Sequence, residues 1–92
     1  MAGDQDIPAF DPEKVGAAYV YVAMADHIEA RIRAGQIPPG AALPGERAMA
    51  QEYGVALGTV RRAIEELRER GYVVTLAAKG SYVTPAESWP ET

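Results

Sequence analysis

Glycine and proline divide this chain into short pieces, and the positions of the breaks restrict what it can fold into. Gly35 is followed closely by Pro38-Pro39-Gly40, then come Gly54, Gly71 and Pro85. Proline lacks an amide donor and clashes inside a helix, and glycine past a helix end takes the left-handed conformation that stops it. Each piece between breaks carries one period. Over residues 17–34, Tyr21, Ala25, Ile28 and Ile32 recur at steps of four, three and four, one face of a helix that Met24 widens. A second helix is predicted from Glu46 to Tyr53. Gly45 is its N-cap, Glu46 sits at the positive end of its dipole, and Met49, Ala50 and Tyr53 face inward. A third is predicted from Leu57 or Gly58 to Arg70. Val60, Ile64 and Leu67 turn inward, and Arg61, Arg62, Glu65, Arg68 and Glu69 outward. Residues 72–76 and 81–84 are rich in β-branched side chains and flank Ala77-Ala78-Lys79-Gly80, which reads as a hairpin.

Residues 41–43 are predicted to add a very short strand. The order is therefore helix, short strand, helix, tight turn, helix, hairpin. That is a mainly α chain with a small β hairpin: three helices plus a two- to three-stranded antiparallel sheet, in the order of a winged helix-turn-helix. Residues 1–16 have no apolar period and are read as a flexible acidic arm. Residues 17–84 form the domain, and 85–92 a flexible tail. No internal repeat is present.

Ninety-two residues suffice for one small core. The apolar runs are short and broken by charge, so none can span a bilayer, and MAGDQDIPAF has no apolar stretch of the kind a signal peptide needs. The absence of cysteine excludes disulfides, thiolate catalysis and Cys-type zinc sites, and fits a cytoplasmic protein. The single histidine, His27, sits among polar neighbours and is read as a surface residue. It cannot complete a Ser–His–Asp set, no carboxylate or histidine cluster has metal-ligand spacing, and no glycine-rich phosphate loop follows a strand. The expectation is a non-enzyme with no cofactor and no metal.

The net charge is −4, which argues against a protein that coats nucleic acid. The charge is uneven, however. Residues 31–80 hold eight of the nine basic side chains against five glutamates, while the two ends are acidic. A local basic patch matters more for phosphate binding than the total does.

The stretch AALPGERAMAQEYGVALGTVRRAIEELRERGYVVTLAAKGSYV, with RAGQIPPGAALP before it, resembles the DNA-binding domain of GntR-type (gluconate-repressor-like) bacterial transcription regulators. The likeness covers residues 18–84. It rests on the ordered series PPG, LPxER, YGV, TVRRAI, RGY and GSYV. The resemblance implies a repressor bound to double-stranded operator DNA. The third helix would lie in the major groove and the hairpin at the adjacent minor groove, typically as a homodimer on a palindrome. By position it implies DNA contacts from Arg47, the helix-start residues Gly58, Thr59, Arg61 and Arg62, and the wing residues Lys79, Gly80 and Ser81.

The chain also departs from the family pattern. Gly45 replaces the usual Ser before ER. Ala56 replaces a capping Ser or Thr, at a cost of about 1 kcal/mol by ordinary capping values. Leu57 stands where an Arg commonly makes a guanine contact worth roughly 1–3 kcal/mol of discrimination, leaving only contact with a thymine methyl. Gly58 replaces a Thr or Ser, and Ala78 replaces the first wing glycine. Family members normally continue into an effector-binding and dimerisation domain, whereas here only about eight residues follow the wing. The Met start and the Trp-containing tail favour a naturally short regulator over an excised domain.

Each residue also has a plainer reading. Arg61 and Arg62 fit a solvated helix face paired with Glu65 and Glu66, Arg47 a neighbour of Gln51, and Lys79-Gly80-Ser81 an ordinary turn. Tyr19, Tyr21 and Tyr53 read as packing groups. Trp89 reads either as part of a disordered tail or as a group docking on a partner subunit. The alternative function is a winged-helix protein-interaction module with weakened DNA binding. The charge map separates the two. A continuous basic face through Arg47, Arg61 and Lys79 favours DNA, and interruption by Glu65, Glu69 or the acidic arm favours a protein partner.

Overall fold

The computed structural model describes residues 7–91. It contains three α-helices, α1 (Val20–Arg33), α2 (Glu46–Tyr53) and α3 (Leu57–Arg70), followed by an antiparallel hairpin of β1 (Val73–Leu76) and β2 (Gly80–Val83). This is the winged helix the sequence predicts. The first helix begins later than its period indicated: residues 17–19 form a 3₁₀ turn, and Tyr19 (φ −114°, ψ 9°) is the N-cap of α1. Gly54 (φ 67°) and Gly71 (φ 92°) end α2 and α3 in the left-handed conformation. At Gly71 a side chain would also collide, since a Cβ there would lie 3.0 Å from the carbonyl oxygen of Ser88.

The expected short strand at 41–43 is reduced to a single bridge between Ala42 and Tyr82. Hydrogen bonds from Gly40 N to Val83 O (2.8 Å), Val83 N to Ala41 O (2.9 Å) and Leu43 N to Ser81 O (2.8 Å) hold it against β2. Pro38 and Pro39 before it and Pro44 after it have no amide proton to extend the ladder.

The core lies between α1 and α3. Met24, Ile28 and Ile32 meet Val60, Ala63 and Leu67, with Met49 and Tyr53 of α2 on one side and Tyr72, Val73 and Val83 closing the other. Each such aliphatic contributes about 1.5–3 kcal/mol on burial. The period-2 alternation of the hairpin turns Val73 and Val83 into this core and places Thr75 opposite Ser81 on the same face.

Parts of both ends lie against the domain. Residues 1–6 of the acidic arm lie outside the described residues. Further along the arm, Phe10 packs on Tyr53 and His27 at ring-centroid distances of 5.1 and 5.7 Å. His27, expected at the surface, is half-buried: its Nε2 donates to Pro8 O (2.7 Å) and its Nδ1 lies 2.9 Å from the Tyr53 hydroxyl. Trp89 docks on its own chain. Its ring lies 5.6 Å from that of Tyr72, its Nε1 donates to Thr84 O and Oγ1 (3.1 Å each), and Arg33 lies over both rings while donating to Pro90 O (2.6 Å). The sequence offers no periodic signal for these contacts, because each ring meets partners from distant segments.

Candidate nucleic-acid interface

Arg47, the second residue of α2, points to solvent and borders a shallow hollow with Ala50, Gln51 and Leu57. Leu57 opens α3 and is half-buried there. Ala56 has N-cap geometry (φ −71°, ψ 155°) but no side chain to accept from the first-turn amides. Its carbonyl oxygen accepts from Thr59 N (3.0 Å) and Val60 N (3.2 Å), so the turn forms without the usual cap. Gly58 is exposed, and nothing lies within 4 Å of where its Cβ would be. Glycine is thus not demanded by space at this position.

Arg61 and Arg62 are adjacent in sequence but are held differently, because successive helical residues diverge by about 100°. Arg61 Nε donates to Glu46 Oε1 at 3.0 Å, joining α3 to the first residue of α2. Both side chains are about half exposed, and such a surface pair is worth about 0–1 kcal/mol, so a phosphate can compete for Arg61. Glu46 is itself the glutamate of the LPxER motif. Arg62 instead places its guanidinium carbon 3.9 Å over the Tyr21 ring, stacked on α1.

At the hairpin tip, Lys79 and Gly80 are exposed. Ala78 (φ 64°) and Gly80 (φ 100°) both have positive φ, and Ala78 is the only non-glycine to do so among the described residues. Lys79 N donates to Leu76 O (3.0 Å) and the Tyr82 hydroxyl to Lys79 O (3.2 Å), which fixes the tip. Behind it, Ser81 Oγ lies 2.8 Å from Thr75 Oγ1, and Thr75 Oγ1 accepts from Arg68 Nη1 at 3.1 Å.

Two neighbouring clefts run across this side of the molecule. Arg61, Arg62, Arg68, Thr75 and Ser81 border the first, together with Glu46 and Glu65. Gly45, Glu46, Lys79, Gly80 and Ser81 border the second. Glu46, Ile64, Thr75 and Ser81 belong to both, so the start of α2, the outer face of α3 and the hairpin form one continuous surface. The structure thereby brings Arg61, Arg62, Lys79, Gly80 and Ser81 together. Arg47 and Leu57 open on the separate hollow beside α2, and Thr59 is half-buried in the first turn of α3.

The ion pairs are distributed unequally. On the far side, Arg31 pairs with Glu52, Arg33 with Glu29, and Arg70 with Asp26, Glu29 and Glu66. Burial opposes the charge of Arg70, but hydrogen bonds to those three acids outweigh it and raise its pKa further. At the clefts, Arg62, Arg68 and Lys79 have no ion-pair partner among the described residues, and neither has Arg47 in its separate hollow. Residues 7–10 of the arm pack near His27, away from both clefts, and Glu69 borders neither; Glu65 does enter the first. The sequence marks Arg68 only as an outward-facing residue. Its place seven residues after Arg61, on the same helix face, was the available signal. Among the described residues no cluster of three metal-ligating side chains is found, and no helix is long and apolar enough to cross a membrane.

The sequence model of bacterial regulatory proteins of the gntR family matches residues 20–83. The repressor MngR of the mannosyl-D-glycerate transport and metabolism system of Escherichia coli is 38% identical over 69 residues, 75% of this chain and 29% of its own length. The HTH-type transcriptional regulator SmoD of Agrobacterium fabrum is 34% identical over 68 residues, 74% of this chain and again 29% of its own. The chain thus spans under a third of the length of these curated relatives. Among solved structures, the transcription factor YtrA from Sulfolobus acidocaldarius superimposes with a TM-score of 0.73 at 27% identity, covering 85% of this chain and 82% of its own. The DNA-binding domain of AraR, in complex with operator ORX1, does so with a TM-score of 0.66 at 30% identity, covering 70% of this chain and 77% of its own.

Proposed function

The chain belongs to the GntR family of bacterial regulatory proteins, and from that premise we propose that it is a sequence-specific DNA-binding transcriptional regulator that acts as a repressor. The observation that carries the reading is the unequal pairing of charge. Acids absorb the cations of α1 and the end of α3, while among the described residues Arg47, Arg62, Arg68 and Lys79 have no such partner on the α2, α3 and hairpin side, where Arg61–Glu46 is the one ion pair. In this reading α3 enters the major groove and the hairpin lies at the adjacent minor groove. Arg47, Gly58, Thr59, Arg61, Arg62, Lys79, Gly80 and Ser81 line the contact, with Arg61 exchanging Glu46 for phosphate. Arg62 contributes from its perch on Tyr21 and so acts at the edge. Leu57 offers a thymine methyl an apolar contact in place of a guanine contact. Repression follows from occupying an operator and excluding polymerase.

The protein acts in the cytoplasm, without enzymatic activity, as a homodimer on a palindromic site. Affinity of a single domain for one half-site lies in the micromolar range, of order 10⁻⁶ M, and falls steeply with salt. The test is selection from a random-sequence duplex pool, followed by ¹⁵N NMR titration with the enriched duplex at two salt concentrations. Enrichment of one sequence, with shifts at Arg47, residues 57–62 and residues 79–81 that weaken at high salt, is the expected result. No enrichment and no shift with any duplex would instead support the protein-interaction reading, which the Arg61–Glu46 pair and Glu65 in the cleft favour.

A further inference from the structure

Where α3 meets the hairpin, Arg68, Thr75 and Ser81 form a hydrogen-bonded series with donors to spare. Arg68 Nη1 donates to Thr75 Oγ1 (3.1 Å), and Thr75 Oγ1 and Ser81 Oγ, directly paired across the strands, are 2.8 Å apart. Two hydroxyls carry two protons. One is used between them, in whichever direction, so one remains. Arg68 keeps four of its five N–H donors. Among the described residues no carboxylate pairs with Arg68, and the hydroxyl pair makes no further side-chain bond. The cluster therefore presents a positive charge and a hydroxyl donor to the cleft that Arg61 also borders, with Glu46 and Glu65 at the same cleft.

The position of this cleft selects the ligand. A strand's phosphate backbone is the ridge between a major groove and the adjacent minor groove. A helix in the first and a hairpin in the second must straddle that ridge, and the junction between them faces it. We infer that Arg68, Thr75 and Ser81 form a seat for one backbone phosphodiester of the bound duplex. The inference rests on the DNA-binding reading above and adds to it a contact outside the helix start and the wing tip. The planar guanidinium spans Thr75 and a phosphate oxygen at once, and the spare hydroxyl proton meets another oxygen of the same group. A phosphate contact carries no base information, so the seat governs affinity and salt dependence but not sequence choice.

Fluorescence anisotropy of an enriched duplex, titrated over a salt series, tests this with Arg68→Ala, Arg68→Lys and Thr75→Val. Arg68→Ala should bind about tenfold more weakly and lower the log–log salt slope by ~0.9, the value of one phosphate, with base preference unchanged. Arg68→Lys should keep the slope and lose part of the affinity, and Thr75→Val should do the same, because charge is retained while the fork or its anchor is lost. Circular dichroism checks that each variant folds. If Arg68→Ala does not, the pattern in the other two decides, and wild-type affinity in both overturns the seat. An Arg68→Ala variant that folds and binds with the wild-type slope overturns the seat while leaving the DNA reading intact. A wild type that binds no duplex at any salt overturns both.

Discussion

Ala78 and Arg61 show how much a single side chain can alter here. Ala78 holds φ 64°, where an L-residue pays about 1–2 kcal/mol. Glycine avoids that strain but loses about 0.5–1 kcal/mol through the greater freedom of the unfolded chain. Ala78→Gly should therefore stabilise the protein by up to about 1 kcal/mol, a rise of several degrees in Tm for a domain of this size; a drop in Tm by calorimetry would contradict the assigned strain. Arg61 is held by Glu46 at 3.0 Å in an exposed pair worth about 0–1 kcal/mol. Glu46→Gln weakens the hold on the guanidinium and removes a negative charge from the cleft. It should tighten DNA binding up to about fivefold with little change in stability. Unchanged affinity in an anisotropy titration would mean that Arg61 does not exchange partners on DNA.

Among the elements, α3 lacks a side-chain cap at its start but is well provided at its end. Ala56 caps it without a side-chain acceptor, while Arg68 and Arg70 occupy its last turn, where positive charge suits the dipole. Ala56→Ser restores an acceptor for a first-turn amide and should add about 1 kcal/mol, visible as a higher midpoint in urea unfolding. The C-terminal segment depends on one ring. Trp89 is half-buried against Tyr72 and Arg33, so Trp89→Ala should cost about 1–2 kcal/mol, below the 3–5 of a fully buried aromatic. As the only tryptophan, Trp89 also reports its own docking. Its fluorescence should shift to the red together with the loss of helix on unfolding, and an earlier, separate shift would show the tail leaving first.

For the molecule as a whole, two aromatic hydroxyls tie the layers together and set an alkaline limit. Burial raises the Tyr53 pKa above its ordinary 10.0, although the hydrogen bond from Arg31 opposes the shift. Burial also raises that of Tyr72, opposed by Arg33 and reinforced by Glu29. An acid whose folded pKa is raised contributes stability that is complete below its unfolded value and is lost as pH climbs through the folded one. The urea midpoint should thus fall once pH passes about 10. Tyr53→Phe should start lower, having lost its hydrogen bonds, and fall less with pH. A midpoint that is flat up to pH 11 in wild type would contradict the burial of these hydroxyls.

The bounds of α2, the end of α3 and the inward faces were legible in the sequence because they depend on local chemistry. Gly45 to Gly54 bracket α2 as expected, Gly71 ends α3, and Met24, Ile28, Ile32, Val60, Ile64 and Leu67 are buried at their helical spacing. The family, too, was legible from the motif order alone. Tertiary structure decided which charges face each other. Arg61 with Glu46, Arg70 with Asp26 and Glu29, and Arg68 with Thr75 each join different elements. It also decided that Phe10, His27 and Trp89 pack against the domain instead of standing free. Periodicity reports which face of an element is apolar, but long polar side chains choose partners from whatever neighbouring elements bring within reach. Only the folded chain brings those neighbours together.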